Sequence, residues 1–264
     1  MHTLAMRRES MPSNIIHIPH SSTTIPAEYR DQFVLTDAEL AAELVRMTDA
    51  YTDELFAMPG DMATTVRFPV SRLVVDPERF EDDSQEPMSR RGMGVIYTRS
   101  SMGAVLRREV SPGEREALLA AFYRPHHAAL TRAVGDALDA HGKCLIIDGH
   151  SFASRPWPYE PDQTSVRPEI CIGTDDFHTP DGLTRLVVES FRGQGFTVDL
   201  NRPFAGALVP LPYYRKNPGV RSIMVEVRRD LYTDEATGGR SAGFGGTVAR
   251  VQAAIREVAG VWDG

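Results

Sequence analysis

Short apolar runs alternate with amphipathic stretches along this chain, with no internal repeat, low-complexity tract or long linker. The first run, 15–19 (IIHIP), reads as a buried strand that stops at Pro19 and opens into the polar turn 20–24. Further apolar runs at 64–68, 73–76, 145–148, 170–173, 197–200 and 223–227 read as strands, the first two of these separated by Pro69. Between them lie helix signals. Thr36 with Glu39, and Ser111 with Pro112 and Glu114, have the spacing of capping boxes. The stretch after Ser111 is expected to run to about Ala140, broken near Pro125 and ended by Gly142. Leu55 and Phe56 fit a short turn of helix, 183–191 a longer one, and 248–261 a closing helix.

Helices interspersed with strands predict an α/β fold, a mixed and mostly parallel sheet with helices on both faces. The 264 residues are read as one such domain over 14–264, after a tail, 1–13, expected to be disordered. The segment 81–94, charged and containing Gly and Pro, is long enough for a mobile or functional loop, such as a lid.

Charge narrows the possible partners. With 29 Lys+Arg against 36 Asp+Glu the net charge is −7, which removes the broad attraction that non-specific nucleic-acid binding needs. No run approaches the roughly 20 apolar residues of a membrane span. The first residues lack the apolar run of a signal peptide, so the cytoplasm is the expected compartment. Cys144 and Cys171 lie in apolar runs and are expected to be reduced core residues. There is no phosphate loop, dinucleotide fingerprint, Cys-rich zinc pattern or nucleophile elbow.

In open α/β sheets polar sites gather where strands end. His20, His150 and Glu226 each follow or close an apolar run, and parallel neighbouring strands would bring them to one sheet edge. Two imidazoles and a carboxylate are the ligand set of a catalytic zinc with an open position, while simple hydrogen bonding is the competing reading for each histidine. Arg72, Asp76 and Arg79 cluster around another strand end, where they could bind an anion or form a surface salt-bridge group, and Asn201, Arg202, Arg228 and Arg229 pose the same alternative. His17 reads as structural, His126 and His127 as surface or capping groups, and His2, His141 and His178 carry no signal.

The ordered pieces HIPHSSTTIP, TDAYTDELF, FPVSRLVVDPER, IIDGHSF, NRPFAG and MVEVRRDLY, spread from Ile15 to Tyr232, resemble the signature of N-formylglutamate amidohydrolases. That family belongs to the zinc hydrolases of the carboxypeptidase and aspartoacylase type, which have an α/β fold. The resemblance implies cleavage of the N-acyl amide of an acidic amino acid, N-formyl-L-glutamate giving formate and L-glutamate, with one Zn2+ as cofactor. By matching positions, His20 and His150 would be metal ligands, Glu226 the general base, and Arg79 the group that polarises the scissile carbonyl. Arg72, Asn201 and Arg202 would bind a small anionic substrate.

Two positions depart from the pattern. Thr23 stands where carboxypeptidase-like enzymes have the glutamate of His-x-x-Glu, so the third ligand is expected at Asp49, with Asp53 and Glu78 as alternatives. Glu78 stands where the family commonly has Asn, which would alter substrate contact or supply a different ligand. The same site could act on another N-acyl amino acid or a small peptide, or hold a metal or ligand without catalysis.

Overall fold

The computed structural model describes residues 12–263, so the tail expected over 1–13 lies, apart from Pro12 and Ser13, outside the described residues. Ser13 is already part of the fold, buried and with its carbonyl accepting the Leu145 N–H at 3.0 Å.

Six strands form one mixed sheet: β1 (Asn14–Ile18), β2 (Thr64–Arg67), β3 (Cys144–Phe152), β4 (Ile170–Gly173), β5 (Val198–Leu200) and β6 (Val220–Arg228). Their order is β2-β1-β3-β6-β4-β5. The first four strands in that order run parallel; β4 and β5 are parallel to each other but antiparallel to β6. The expected α/β class and mostly parallel sheet are therefore observed.

Successive side chains on a strand point to opposite faces, and the helices cover both. On one face Ile16, Ile18, Leu145, Ile147, Ile223 and Val225 pack with Val187 and Phe191 of α5 (Asp181–Gly193) and with Val251, Ile255 and Val258 of α6 (Phe244–Asp263). On the other, Ile15, Ile146 and Val220 pack against Leu130, Val134 and Ala137 of α4 (Arg124–His141). Burial of each such Leu, Ile, Val or Phe side chain contributes roughly 1.5–3 kcal/mol. A third cluster, including Phe33, Leu40 of α1 (Asp37–Met47), Phe68, Leu73 and Tyr97, packs the segments before α4.

Both capping boxes form, Thr36 with Glu39 on α1 and Ser111 with Glu114 on α3 (Pro112–Leu118). The short turn α2 (Thr52–Leu55) also forms. Gly142 caps α4 at φ 68°. The expected break near Pro125 takes the form of a π-helical turn, Leu119–Tyr123, after which Pro125 occupies the first turn of α4. A proline lacks the N–H that an uninterrupted helix would need there, and the wider turn accommodates it.

Residues 73–76 are not a strand but a buried turn. The Arg107 guanidinium donates to the carbonyls of Leu73 and Val74, and Val74 N–H bonds back to Ser71 at 2.8 Å. These partners replace a neighbouring strand, so the apolar run is buried without joining the sheet. Strand β3 in turn runs four residues beyond the Asp148 end read from the pattern. It does so through Gly149, where an added Cβ would lie 2.7 Å from the Phe56 ring. Both cysteines are free and buried, as expected.

Candidate active site

At the carboxyl ends of β1, β3 and β6 the sheet opens into a cavity of about 580 Å3. The period-two alternation decides what faces it. Ile147, Val225 and Val227 go to the α5/α6 side, so Asp148, His150 and Glu226 all fall on the opposite face. Parallel pairing sets His150 beside Glu226 and His17 beside Asp148. His20 follows β1 in the turn after Pro19, and its carbonyl accepts the Asp49 N–H at 3.0 Å, which docks the end of α1 onto that turn.

Six of the side chains lining this cavity carry a buried atom that makes no hydrogen bond: His20 Nδ1, Glu78 Oε1, Arg79 Nε, His150 Nε2, Trp157 Nε1 and Glu226 Oε2; His150 Nε2 has only ion-pair contacts with Glu78 and Asp148, and His20 Nδ1 one with Asp49 at 3.5 Å. Such atoms are costly to bury, and a concentration of them in one concave site marks where a ligand would complete the bonding.

The two imidazoles are held from behind by carboxylates. Asp76 Oδ1 lies 2.8 Å from His20 Nε2, and Asp49 Oδ2 lies 3.1 Å from His150 Nδ1. Each carboxylate is itself held by an arginine: Arg72 binds Asp76 at 2.8 Å, and Arg229 binds Asp49 at 2.8 Å. Tyr97 adds a further bond to Asp76 at 2.5 Å. Burial alone would raise both carboxyls, but Arg72 and His20 hold Asp76, and His150, His20 and Arg229 hold Asp49, well below the usual carboxylate range. Burial opposes charge on His150, yet Glu78 and Asp148 raise its pKa well above that of a free imidazole. Burial and Arg72 likewise oppose charge on His20, but Asp76 and Asp49 leave its pKa raised. Both imidazoles thus sit in a field that favours positive charge.

Glu226 differs. Burial, reinforced by Asp49 and Glu78 and opposed by His150 and Arg229, raises its carboxyl to about 8. A carboxylate near neutrality in a cleft is suited to exchanging a proton with a reacting group.

The donors His20, Glu78 and His150 bring ligand atoms within 4.8 Å of one another, and so do His17, Glu78 and Asp148. Two imidazoles and a carboxylate with buried atoms that make no hydrogen bond fit a divalent cation. Asp49 is in neither group; its Oδ2 lies 3.1 Å from His150 Nδ1 and 3.5 Å from His20 Nδ1. Asp53 pairs with Arg67 at 2.7 Å, away from the cavity.

Arg72 and Arg79 line the cavity, whereas Asn201 and Arg202 do not. Asn201 bonds Thr174, and Arg202 is about half exposed, 3.7 Å from Asp162. The chain turns at this point, so the residues that follow, Pro203 to Leu208, form the wall instead. Facing that wall is a loop carrying Trp157, Tyr159 and Glu160, tied down by Arg167 on Glu160 and by Arg91 on the Tyr159 carbonyl. No residue of 81–94 lines the cavity; that segment folds on itself through Ser89 to the Asp83 carbonyl and Met88 N–H to the Glu86 carboxylate.

His126 departs from its expected place on the surface. It is buried, with Nε2 2.8 Å from His17 Nε2 and its ring edge-on to Phe68, on the first turn of α4 after the π-helical step. His127 is half-buried on the Pro77 carbonyl at 2.8 Å, and His178 is fully buried between Val220 O and Arg215 N. Arg229, read as either an anion-binding or a salt-bridge group, lines the cavity and pairs with Asp49. Asp148 and the aromatic loop were missed as cavity groups: Asp148 lies two residues before His150, but Trp157 and Tyr159 lie in a Pro-rich stretch with no periodic signal.

The family model described as N-formylglutamate amidohydrolase matches residues 13–233. A curated N-formylglutamate deformylase from Pseudomonas putida is 26% identical over 229 residues, covering 84% of this chain and 82% of its own length. An N-formylglutamate amidohydrolase structure from Ralstonia eutropha JMP134 superposes with a TM-score of 0.84 at 24% identity, covering 96% of each chain. A gene product of Agrobacterium tumefaciens does so at 0.66 and 20% identity, covering 97% of this chain and 94% of its own. These two likenesses bear on the fold. The family match begins just before β1 and ends just after β6. The chain belongs to the N-formylglutamate amidohydrolase family.

Proposed function

We propose that this protein hydrolyses the N-formyl amide of L-glutamate, releasing formate and L-glutamate, with a bound divalent cation, Zn2+ in the first instance. The observation that carries this reading is the set of buried atoms without hydrogen bonds on His20, Glu78, His150 and Glu226 around one cavity. His20 Nδ1, His150 Nε2 and the Glu78 carboxylate would hold the cation, with Glu78 in the place first expected for Asp49. Asp49 and Asp76 orient the two imidazoles from their far nitrogens, the usual arrangement around a metal-ligating histidine.

When bound, the cation polarises the acyl carbonyl and lowers the pKa of water at the site. Glu226 in its carboxylate form takes the proton from the attacking water and returns it to the leaving nitrogen. Arg79, whose buried Nε makes no hydrogen bond, stabilises the charge developing on the acyl oxygen. Arg72 contributes positive charge for the substrate carboxylates, while Asn201 and Arg202 stand outside the cavity lining and are assigned no direct contact. Trp157 and Tyr159, which line the cavity, would shield the carbonyl from bulk water.

A second reading keeps the site but enlarges the acyl group. A more apolar cavity of about 240 Å3, lined in part by Tyr123, Pro210, Leu211 and Tyr214, shares Glu78, Arg79, Phe80, Ala207 and Leu208 with the main one. It could take an alkyl or aryl acyl group.

The test is amine release from N-formyl-L-glutamate by chelator-stripped and Zn2+-restored protein, beside a panel of N-acyl-L-glutamates of increasing acyl length. Restored activity with the formyl substrate highest is the expected result. Full activity after complete metal removal would overturn the metal-dependent mechanism, and metal binding without hydrolysis of any acyl amide would leave a binding protein.

A further inference from the structure

Glu78 faces two different histidines with its two oxygens. Oε2 lies 3.2 Å from His150 Nε2, and Oε1 lies 3.7 Å from His17 Nδ1. Asp148 makes the same connection from below, its Oδ1 being 2.7 Å from His17 Nδ1 and 3.1 Å from His150 Nε2. The two donor groups, His20–Glu78–His150 and His17–Glu78–Asp148, therefore share one carboxylate. A carboxylate that offers one oxygen to each of two adjacent donor sets has the disposition of a bridging ligand between cations about 3.5–4 Å apart.

The charges agree with this arrangement. Asp76 is matched by Arg72, and Asp49 by Arg229. The ion pairs of Glu78 and Asp148 are with imidazoles, and Glu226 beside them is a third carboxyl. For His17 Nδ1 to present a lone pair, its proton must sit on Nε2, and His126 Nε2 lies 2.8 Å away in position to accept it. A histidine ligand commonly has such an outer partner.

We propose that His17, Glu78 and Asp148 form a second divalent-cation site, bridged by Glu78 to the first, so that the loaded protein holds a pair of transition-metal ions. The proposal rests on the reading of His20, Glu78 and His150 as the first site. Imidazole with carboxylates suits Zn2+, Co2+ or Mn2+, and one imidazole with two carboxylates predicts weaker binding than at the first site.

The experiment is metal titration of the full chain after chelator stripping and dialysis, with bound Zn2+ or Co2+ counted by elemental analysis. Electron paramagnetic resonance of the Co2+ form reports whether the ions are spin-coupled. Two equivalents and coupled Co2+ spins are expected in the unmodified protein. His17→Asn should retain one equivalent and lose the coupling, with circular dichroism confirming that it folds. If His17→Asn does not fold, Asp148→Asn takes its place, and the coupling in the unmodified protein is a readout that needs no variant. One equivalent in the unmodified protein, lost in His20→Ala, overturns the second site and leaves the first standing. No tight equivalent at all overturns both. Two equivalents whose spins are uncoupled, or a second equivalent that survives His17→Asn and Asp148→Asn, also overturns the shared-carboxylate pair.

Discussion

Asp76 Oδ1 lies 2.8 Å from His20 Nε2, which fixes the ring so that its other nitrogen, Nδ1, is the one turned into the cavity, buried without a hydrogen bond and 3.5 Å from Asp49 Oδ2. If His20 is a ligand, Asp76 determines which nitrogen it presents. Replacing Asp76 by Asn removes the charge that favours this orientation and leaves Arg72 without its ion-pair partner. Metal affinity should fall by about 10–100-fold. A competition titration against a chromophoric chelator measures this directly, and unchanged affinity would count against His20 as a ligand.

Glu226→Gln should retain metal and lose about 10²–10⁴-fold in kcat, because the amide cannot accept the proton. Steady-state kinetics beside metal analysis separates this from loss of the site.

The same residue has a signature in the stability of the metal-free protein. Its carboxyl is raised from an ordinary value near 4.5 to about 8, chiefly by burial. Between those pH values the folded chain holds a proton that the unfolded chain has released. The stability Glu226 supplies is therefore full below about pH 4.5 and is lost as pH rises through about 8. Relative to Glu226→Gln, the unmodified protein should lose stability across that window. Denaturant titrations of both proteins at pH 5, 7 and 9, with chelator present, are the check, and a constant gap would refute the assignment.

Arg107 is buried and supplies hydrogen bonds to the Leu73 and Val74 carbonyls that no strand provides. Arg107→Met leaves both without that donor, at roughly 1–3 kcal/mol each, partly offset by removing a buried cation. Burial, with Arg108 nearby, already lowers the pKa of this guanidinium to about 10. A net loss of about 2 kcal/mol in chemical denaturation is expected, accompanied by lower activity because the same turn carries Arg72 and Asp76.

The substrate contacts are separable by position. Arg79→Ala should lower kcat/KM by about 10²-fold or more, as for loss of an oxyanion donor. Arg202→Ala, about half exposed and beside Asp162 and Asp199, should change it less than about threefold. Kinetics of the two variants with N-formyl-L-glutamate decide between them.

Much of this fold was legible because local rules and tertiary demands agree. The capping boxes at Thr36 and Ser111 involve residues three apart, and the strands that entered the sheet are short apolar runs with turn residues at their ends. The run at 73–76 has the same composition, but its partner is Arg107, more than thirty residues later in the chain. Nothing local distinguishes a carbonyl satisfied by a guanidinium from one satisfied by a strand.

The site divides in the same way. His20, His150 and Glu226 could be picked out because strand ends collect polar groups, and the period-two alternation puts His150 and Glu226 on one face wherever β3 and β6 are paired. The sequence by itself therefore determined the α/β class, the family and the side chains available for chemistry. Only the tertiary structure decided that Asp49 backs His150 while Glu78 faces it, that Arg202 stands outside the cavity, and that His126 lies buried on His17. Those facts depend on turns, a π-helical step and buried hydrogen bonds between residues far apart in sequence, where a rotation of one residue changes what a side chain meets and leaves the local pattern unchanged.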